Sequence, residues 1–185
     1  MCIRDRAWST DVGVEAASTG VQVHGGMGFI EETGAAIFYR DARIAPIYEG
    51  TNGIQAADLV GRKLALDGGN AFASLIADMR SEAEHPDLVA LVETAELIGQ
   101  RLASEGHDDK LAASYPFLSM LSVAVCGWLI ERQARAVSDD AFGTMKKTCA
   151  RFYLDQIVPE ALGLRAAASA TADVLYALAA EAFAA

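Results

Sequence analysis

Apolar residues recur at three- and four-residue steps along most of the chain, which is the period of helices buried on one face. Ala7, Trp8, Val12, Val14, Ala16, Ala17 and Val21 predict a helix over 7–24, ended by Gly25-Gly26-Met27-Gly28. A second helix is predicted over 33–43. Pro46 holds Ala45 out of the helical region, so 45–50 reads as an extended loop. Thr51 is a natural N-cap for a third helix over 52–66, with Ile54, Ala57, Val60 and Leu64 on one face. Further helices are predicted over 70–84, 87–104, 109–137 and 142–158, with a last one from Pro159 toward Ala182. Pro116 allows the stretch 109–137 only with a kink or a break, whereas Pro159 suits a first helical turn. The loops are short, so neighbouring helices should run antiparallel. Leu88, Leu91, Leu97, Leu118, Leu121, Trp128, Phe152 and Leu175 are the expected core of this second part.

Glycine divides the chain. Eleven of the 16 glycines fall in residues 1–69, where backbone must turn sharply or approach something closely. Asp67-Gly68-Gly69-Asn70 marks the boundary, giving one region over 7–69 and another over 70–185. Residues 1–6, Met-Cys-Ile-Arg-Asp-Arg, join no period and precede no apolar segment. They read as a leader foreign to the rest of the chain, and not as a signal peptide.

Composition fixes the class as all-α. Alanine contributes 36 residues and proline only 4, the strongest helix former against the strongest breaker. A net charge of −10 speaks against a nucleic-acid surface or a polybasic membrane anchor. No uninterrupted apolar run reaches the ~18 residues of a membrane span; the stretch 118–130 contains Ser119, Ser122 and Gly127. Cys2, Cys126 and Cys149 form no C-x-x-C pair, and His24, His85 and His107 have no ligand spacing. Neither a disulfide framework nor a metal site is expected, and a reducing, cytoplasmic setting fits best.

Two segments could carry chemistry. In Ile47-Tyr48-Glu49-Gly50-Thr51-Asn52, a carboxylate sits on a loop beside bulky apolar residues, ahead of a helix. Apolar walls destabilise its charged form and make it a stronger base, and Gly50 leaves room for a substrate. The same residue also reads as an acid favoured by a helix N-terminus. In Gln22-Val23-His24-Gly25-Gly26-Met27-Gly28-Phe29, clustered glycines expose backbone N–H groups to an anion or a flat ligand. They equally read as a helix C-cap. No strand precedes them and G-x-G-x-x-G is absent, which excludes a Rossmann fingerprint. The absence of G-x-S-x-G excludes an α/β-hydrolase oxyanion loop.

Taken together, the two segments are more specific than either alone. Gln22 and Glu49 are 27 positions apart, with Arg40-Asp41-Ala42-Arg43 between them, and Gly53-Ile54-Gln55-Ala56-Ala57-Asp58-Leu59-Val60-Gly61-Arg62-Lys63 comes after. In this order and spacing, residues 7–66 resemble the end of the C-terminal helical domain of acyl-CoA dehydrogenases. The continuation resembles the long-form subgroup, which appends a helical domain. Residues 70–185 are similar to that domain in length and character, with no sharp motif of their own.

The resemblance implies a FAD enzyme that oxidises an acyl-CoA thioester to the trans-2-enoyl-CoA. Glu49 is implied as catalytic base, with Tyr48 and Gly50 beside the substrate. Gln22, Val23, His24, Gly25 and Gly26 are implied at FAD across a subunit interface, and Thr51 and Asn52 at its nucleotide. Phosphate would meet free N–H groups at a helix start there. Where the family often has a polar amide, this chain has Gly53, which offers no side chain. A homo-oligomer is implied, as is an electron-transfer flavoprotein as acceptor. The family's preceding domains build most of the flavin pocket, so a chain of this extent is expected to be inactive alone. Two alternatives stay open: a stand-alone helical interaction module derived from such an enzyme, and an acyl-CoA oxidase-type relative.

Overall fold

A computed structural model describes residues 3–184. Met1 and Cys2, part of the expected leader, lie outside the described residues. Among the described residues there is no strand, and nine α-helices are joined by short 3-10 and π-type turns. The fold is all-α, as the alanine-rich, proline-poor composition requires. The chain divides into two units inside a helix, between Ala56 and Ala57, ahead of the glycine-rich punctuation at residues 67–70.

The first unit contains α1 (Ser9–Val23), the short α2 (Gly26–Phe29), α3 (Ala35–Ala42) and the start of α4 (Asn52–Gly61). α1 packs on α3, yet neither helix has a buried residue. Phe29 and Phe38 are 85% and 74% exposed, and Val23, Ile44 and Ile54 are exposed as well. The helical period is present, but the apolar faces it creates are not covered within this unit. Residues 44–48 form successive turns (Ile47 N–H to Ile44 O, 3.0 Å; Tyr48 N–H to Ile44 O, 3.1 Å), where an extended loop was expected. Pro46, which does keep the helix from continuing, is buried in those turns.

The second unit is a helical bundle. α4 ends in a 3-10 segment whose Asp67, Gly68 and Gly69 all take left-handed conformations, and α5 (Asn70–Glu82) begins at once. α6 (Pro86–Ser104) starts with its proline in the first turn and buries Leu88, Leu91, Val92, Ala95, Ile98 and Leu102 on one stripe. α7 (His107–Ala136) is the central helix, buried almost all round between Phe117 and Ala124. It runs as one element through Pro116, so of the kink or break that the proline required, the break does not occur. Gly99 of α6 makes room for an edge-on aromatic pair, Phe72 and Phe117, with ring centroids 6.4 Å apart.

α7 also corrects the reading of apolar runs. It is long and apolar enough to cross a membrane by length and composition, although the sequence has no unbroken run of that length. Its most apolar 18-residue window has a mean hydropathy of 1.6. Over half of that window, 56%, is buried inside the unit, as befits the core helix of a bundle.

Leu88, Leu91, Leu118 and Leu121 are fully buried, and Trp128 is half-buried with its Nε1 donating to Glu82 Oε2 at 2.9 Å. Leu97, Phe152 and Leu175 are exposed instead. Leu97 lies nine residues from Leu88, half a revolution round the helix. Phe152 stands opposite the stripe of Ala150 and Leu154 for the same reason. α8 (Ala141–Phe152) passes through a π-type turn into α9 (Val158–Leu162). Beyond α9 the predicted last helix dissolves into 3-10 turns. Side chains compete for its backbone there: Arg101 donates to Ala168 O (3.3 Å) and Ser169 O (3.1 Å), and Asp109 Oδ1 accepts from Ala172 N–H (2.7 Å).

Two buried or paired acids stabilise this unit. Glu131 is buried on α7 and accepts from the N–H groups of Glu84 (3.1 Å) and His85 (2.9 Å), which closes the elbow into α6. Asp58 accepts from Arg62 at 2.7 and 2.9 Å and pairs with Lys63 at 2.8 Å. Its hydrogen bonds to Arg62, then to Lys63, hold its carboxyl at about 2, below the usual carboxylate range. A group whose folded value is depressed stabilises above its unfolded value, and that contribution is lost as pH falls through the folded one. Asp58→Asn should therefore cost about 1 kcal/mol at pH 7, discounted for solvent screening. In urea titrations the gap from the parent chain should narrow from pH 4 toward pH 2. A gap that stays constant would show that the ion pairs are not its source.

Candidate functional site

Glu49 stands on a left-handed turn of the first unit. It is one of two non-glycine residues with positive φ among those described, at 55°, and Gly50 follows at 91°. L-residues avoid this region, and such geometry clusters where surrounding structure over-determines it. The turn carries the Glu49 side chain outward, with 72% of it exposed. Tyr48 and Ile47 are about half-exposed themselves. The apolar walls expected around the carboxylate are therefore not supplied within this unit.

Arg6 lies against the turn. Its Nη1 donates to Glu49 Oε2 at 2.9 Å, its Nη2 donates to Tyr48 O and, at 3.5 Å, to Gly50 O, and its guanidinium sits 5.2 Å from the Tyr48 ring centre. Arg6 is the last residue of the segment that the sequence sets apart as a leader.

The helix after the turn is capped from within. Thr51 Oγ1 accepts from Ile54 N–H at 3.4 Å, the N-cap role expected of it. Asn52 N–H donates back to Pro46 O at 3.1 Å. Two of the first amides of α4 are thus already committed, which reduces what this terminus can offer a phosphate. The Asn52 side chain turns inward: it is 5% exposed, and Nδ2 donates to Ala7 O (2.8 Å) and Thr10 Oγ1 (2.9 Å). Its Oδ1 is buried without a partner. Sequence spacing gave no sign of this inward bond, because its partners lie more than 40 residues away.

The second segment caps the far end of α1. Gly25 has φ 60°, its N–H donates to Gln22 O at 2.9 Å, and that of His24 donates to Gly20 O at 3.2 Å. The C-cap reading is realised. Gln22, Val23, His24, Gly25 and Gly26 are all exposed. A Cβ placed on Gly25 or Gly26 would meet nothing within 4 Å, so this backbone is open to a flat ligand. Gly28 is different, since a Cβ there would lie 2.2 Å from Val21 O. Beside the segment, Ala17, Gly20, His24, Thr33, Ala35 and Phe38 line a groove of about 200 Å³.

The two segments do not converge. Asn52 is bonded to the start of α1 and Gln22–Gly26 cap its end. Thr10 and Gln22 are twelve residues apart on that helix, about 18 Å at 1.5 Å per residue. In one chain, the turn of Glu49 and the glycine segment stand at opposite ends of α1.

Two family descriptions match this chain, one to each part of it. Residues 6–64 match the family described as acyl-CoA dehydrogenase, C-terminal domain, and residues 70–179 match that described as acetyl-CoA dehydrogenase C-terminal like. The chain is similar to 3-methylmercaptopropionyl-CoA dehydrogenase of Ruegeria pomeroyi, at 40% identity over 84% of this chain and 30% of the relative. It is similar to a butyryl-CoA dehydrogenase of Syntrophomonas wolfei, at 28% identity over 89% of this chain and 31% of the relative. Human mitochondrial short-chain specific acyl-CoA dehydrogenase is 41% identical over 34% of this chain and 16% of its own length. The chain spans about 30% of the length of the first two relatives. With both parts of the chain matched in order, and the glutamate turn and glycine segment inside the first match, the chain belongs to the acyl-CoA dehydrogenase family.

Proposed function

We propose that this chain supplies the catalytic base and part of the cofactor site of a FAD-dependent acyl-CoA dehydrogenase. The observation that carries this reading is Glu49, held outward on a left-handed turn with Tyr48 and Gly50 on either side. FAD, when bound, supplies the hydride acceptor. Glu49 takes the α-proton of the acyl-CoA as the β-hydrogen leaves, and the product is the trans-2-enoyl-CoA. The carboxylate lacks apolar walls within its own unit, so desolvation by the bound thioester is what strengthens it as a base. Gly50 keeps side-chain bulk away from the α-carbon.

Gln22, Val23, His24, Gly25 and Gly26 would hold FAD with open backbone, and Thr51 would face its nucleotide. The ~18 Å between the two segments along α1 favours a homo-oligomer, in which the glycine segment serves the cofactor of a neighbouring subunit. The uncovered apolar faces of the first unit accord with burial in such an assembly. A short acyl-CoA is the substrate class, with 3-methylmercaptopropionyl-CoA first, following the name of the 40% identical relative. An electron-transfer flavoprotein is the acceptor and the cytoplasm the setting.

The test is anaerobic mixing of the intact, flavin-loaded protein with 3-methylmercaptopropionyl-CoA, butyryl-CoA and a long-chain acyl-CoA. Rapid bleaching of the flavin, fastest with the short thioesters, is expected. A flavin that no thioester reduces would contradict the reading.

A further inference from the structure

We infer that Asn52 is a positioning residue for the base: it latches the Glu49 turn to the start of α1. The inference rests on the assignment of Glu49 as base. Residues 44–48 are held by their own turns, and then Glu49 and Gly50 pass through consecutive positive φ values of 55° and 91°. A turn in that conformation persists where the surrounding structure holds it, and Arg6 already holds it at Glu49, Tyr48 O and Gly50 O. Asn52 adds an anchor just beyond it at three points. Its backbone N–H reaches Pro46 O at 3.1 Å and closes the loop, while Nδ2 reaches Ala7 O at 2.8 Å and Thr10 Oγ1 at 2.9 Å.

The partners fix the orientation of the amide. Ala7 O can only accept, so the NH₂ group must face it, and a flipped amide would set two oxygens against each other. The single hydroxyl hydrogen of Thr10 is directed back at the carbonyls of Arg6 (2.5 Å) and Ala7 (2.9 Å), which leaves the lone pairs of Oγ1 for Asn52. The bond to Ala7 O is buried and the one to Thr10 partly so, and losing the amide forfeits hydrogen bonds that water replaces poorly there. Ala7, Thr10 and Asn52 all lie within the family-matched residues 6–64. Asn52 touches neither the proton nor the thioester; it sets where the carboxylate stands.

The experiment compares Asn52→Ala, Asn52→Asp, Thr10→Val and Thr10→Ser with Glu49→Gln in the intact, flavin-loaded enzyme. The readouts are flavin per chain, acyl-CoA affinity and the rate constant of anaerobic bleaching. Displacing a reacting group by about 1 Å can cost about 10²-fold. Both Asn52 variants and Thr10→Val should therefore bleach about 10- to 100-fold more slowly, with flavin content and acyl-CoA affinity held within about twofold. Thr10→Ser, which keeps the hydroxyl, should restore the rate. Should the Asn52 variants not fold, Thr10→Val decides. Unchanged bleaching in Asn52→Ala or Thr10→Val, in an enzyme that Glu49→Gln silences, would overturn the latch and leave the base assignment standing. Flavin lost in proportion to rate would overturn it too, and make Asn52 a cofactor contact. Normal bleaching in Glu49→Gln would overturn the base assignment, and the latch with it.

Discussion

Glu49→Gln in the intact dehydrogenase should lose acyl-CoA turnover by about 10²- to 10⁴-fold, the usual contribution of a positioned general base, and keep its flavin. The amide preserves size and shape but cannot accept the α-proton. No other carboxylate lies in residues 44–52 to replace it. The nearest acids in sequence, Asp41 and Asp58, sit on α3 and α4, outside the turn. Flavin content should be little changed, because the residues assigned to the cofactor are Gln22–Gly26 and Thr51. The change should fall on kcat more than on KM, since proton transfer is made only in the transition state. Substantial turnover in the variant, measured with purified protein of matched flavin content, would place the base elsewhere.

Phe117→Ala should destabilise the second unit by about 3–5 kcal/mol. Phe117 is fully buried on the central helix, in edge-on contact with Phe72 and in the space that Gly99 leaves open. Truncation removes the transfer free energy of the ring and leaves a cavity that helices on several sides cannot close. Chemical denaturation of the whole chain, followed by far-UV circular dichroism, measures the loss. A change under about 1 kcal/mol, within the ordinary range for exposed positions, would mean that the bundle is not organised around α7. Phe152→Ala is the internal control: equally aromatic but exposed, it should cost little.

The helical class and most helix boundaries were legible because their signals are local. Pro86 opens α6, Asp67-Gly68-Gly69 turns the chain into α5, and Pro159 lies in the first turn of α9. Exposure on a given helix was less legible. Leu97 and Phe152 have the right residue type at an angle pointing away from the stripe, and only the choice of neighbours fixes that stripe. The predicted last helix failed because Arg101 and Asp109, more than 60 residues upstream, take its backbone groups. Glu131 was invisible as a cap for the same reason, lying on an apolar helix far in sequence from the amides it satisfies.

The candidate site divides along the same line. The glutamate, its glycine and the threonine cap stand out in the sequence by residue type and order. The left-handed conformation of Glu49 was not readable, because L-residues seldom adopt it and no glycine marks the position. Nor was the separation of the two segments along α1, since 27 positions between Gln22 and Glu49 say nothing of distance. The inward turn of Asn52 depends on Ala7 and Thr10, which pattern alone does not connect to it.

The most direct test of Glu49 as base is exchange at the α-carbon. An acyl-CoA analogue without β-hydrogens cannot pass hydride on, so its incubation with the intact enzyme in D₂O reports proton abstraction by itself. The enzyme should load deuterium at the α-carbon, and Glu49→Gln at equal flavin content should not exceed the uncatalysed rate. Exchange at the parent rate in the glutamine variant would contradict the assignment of Glu49 as base.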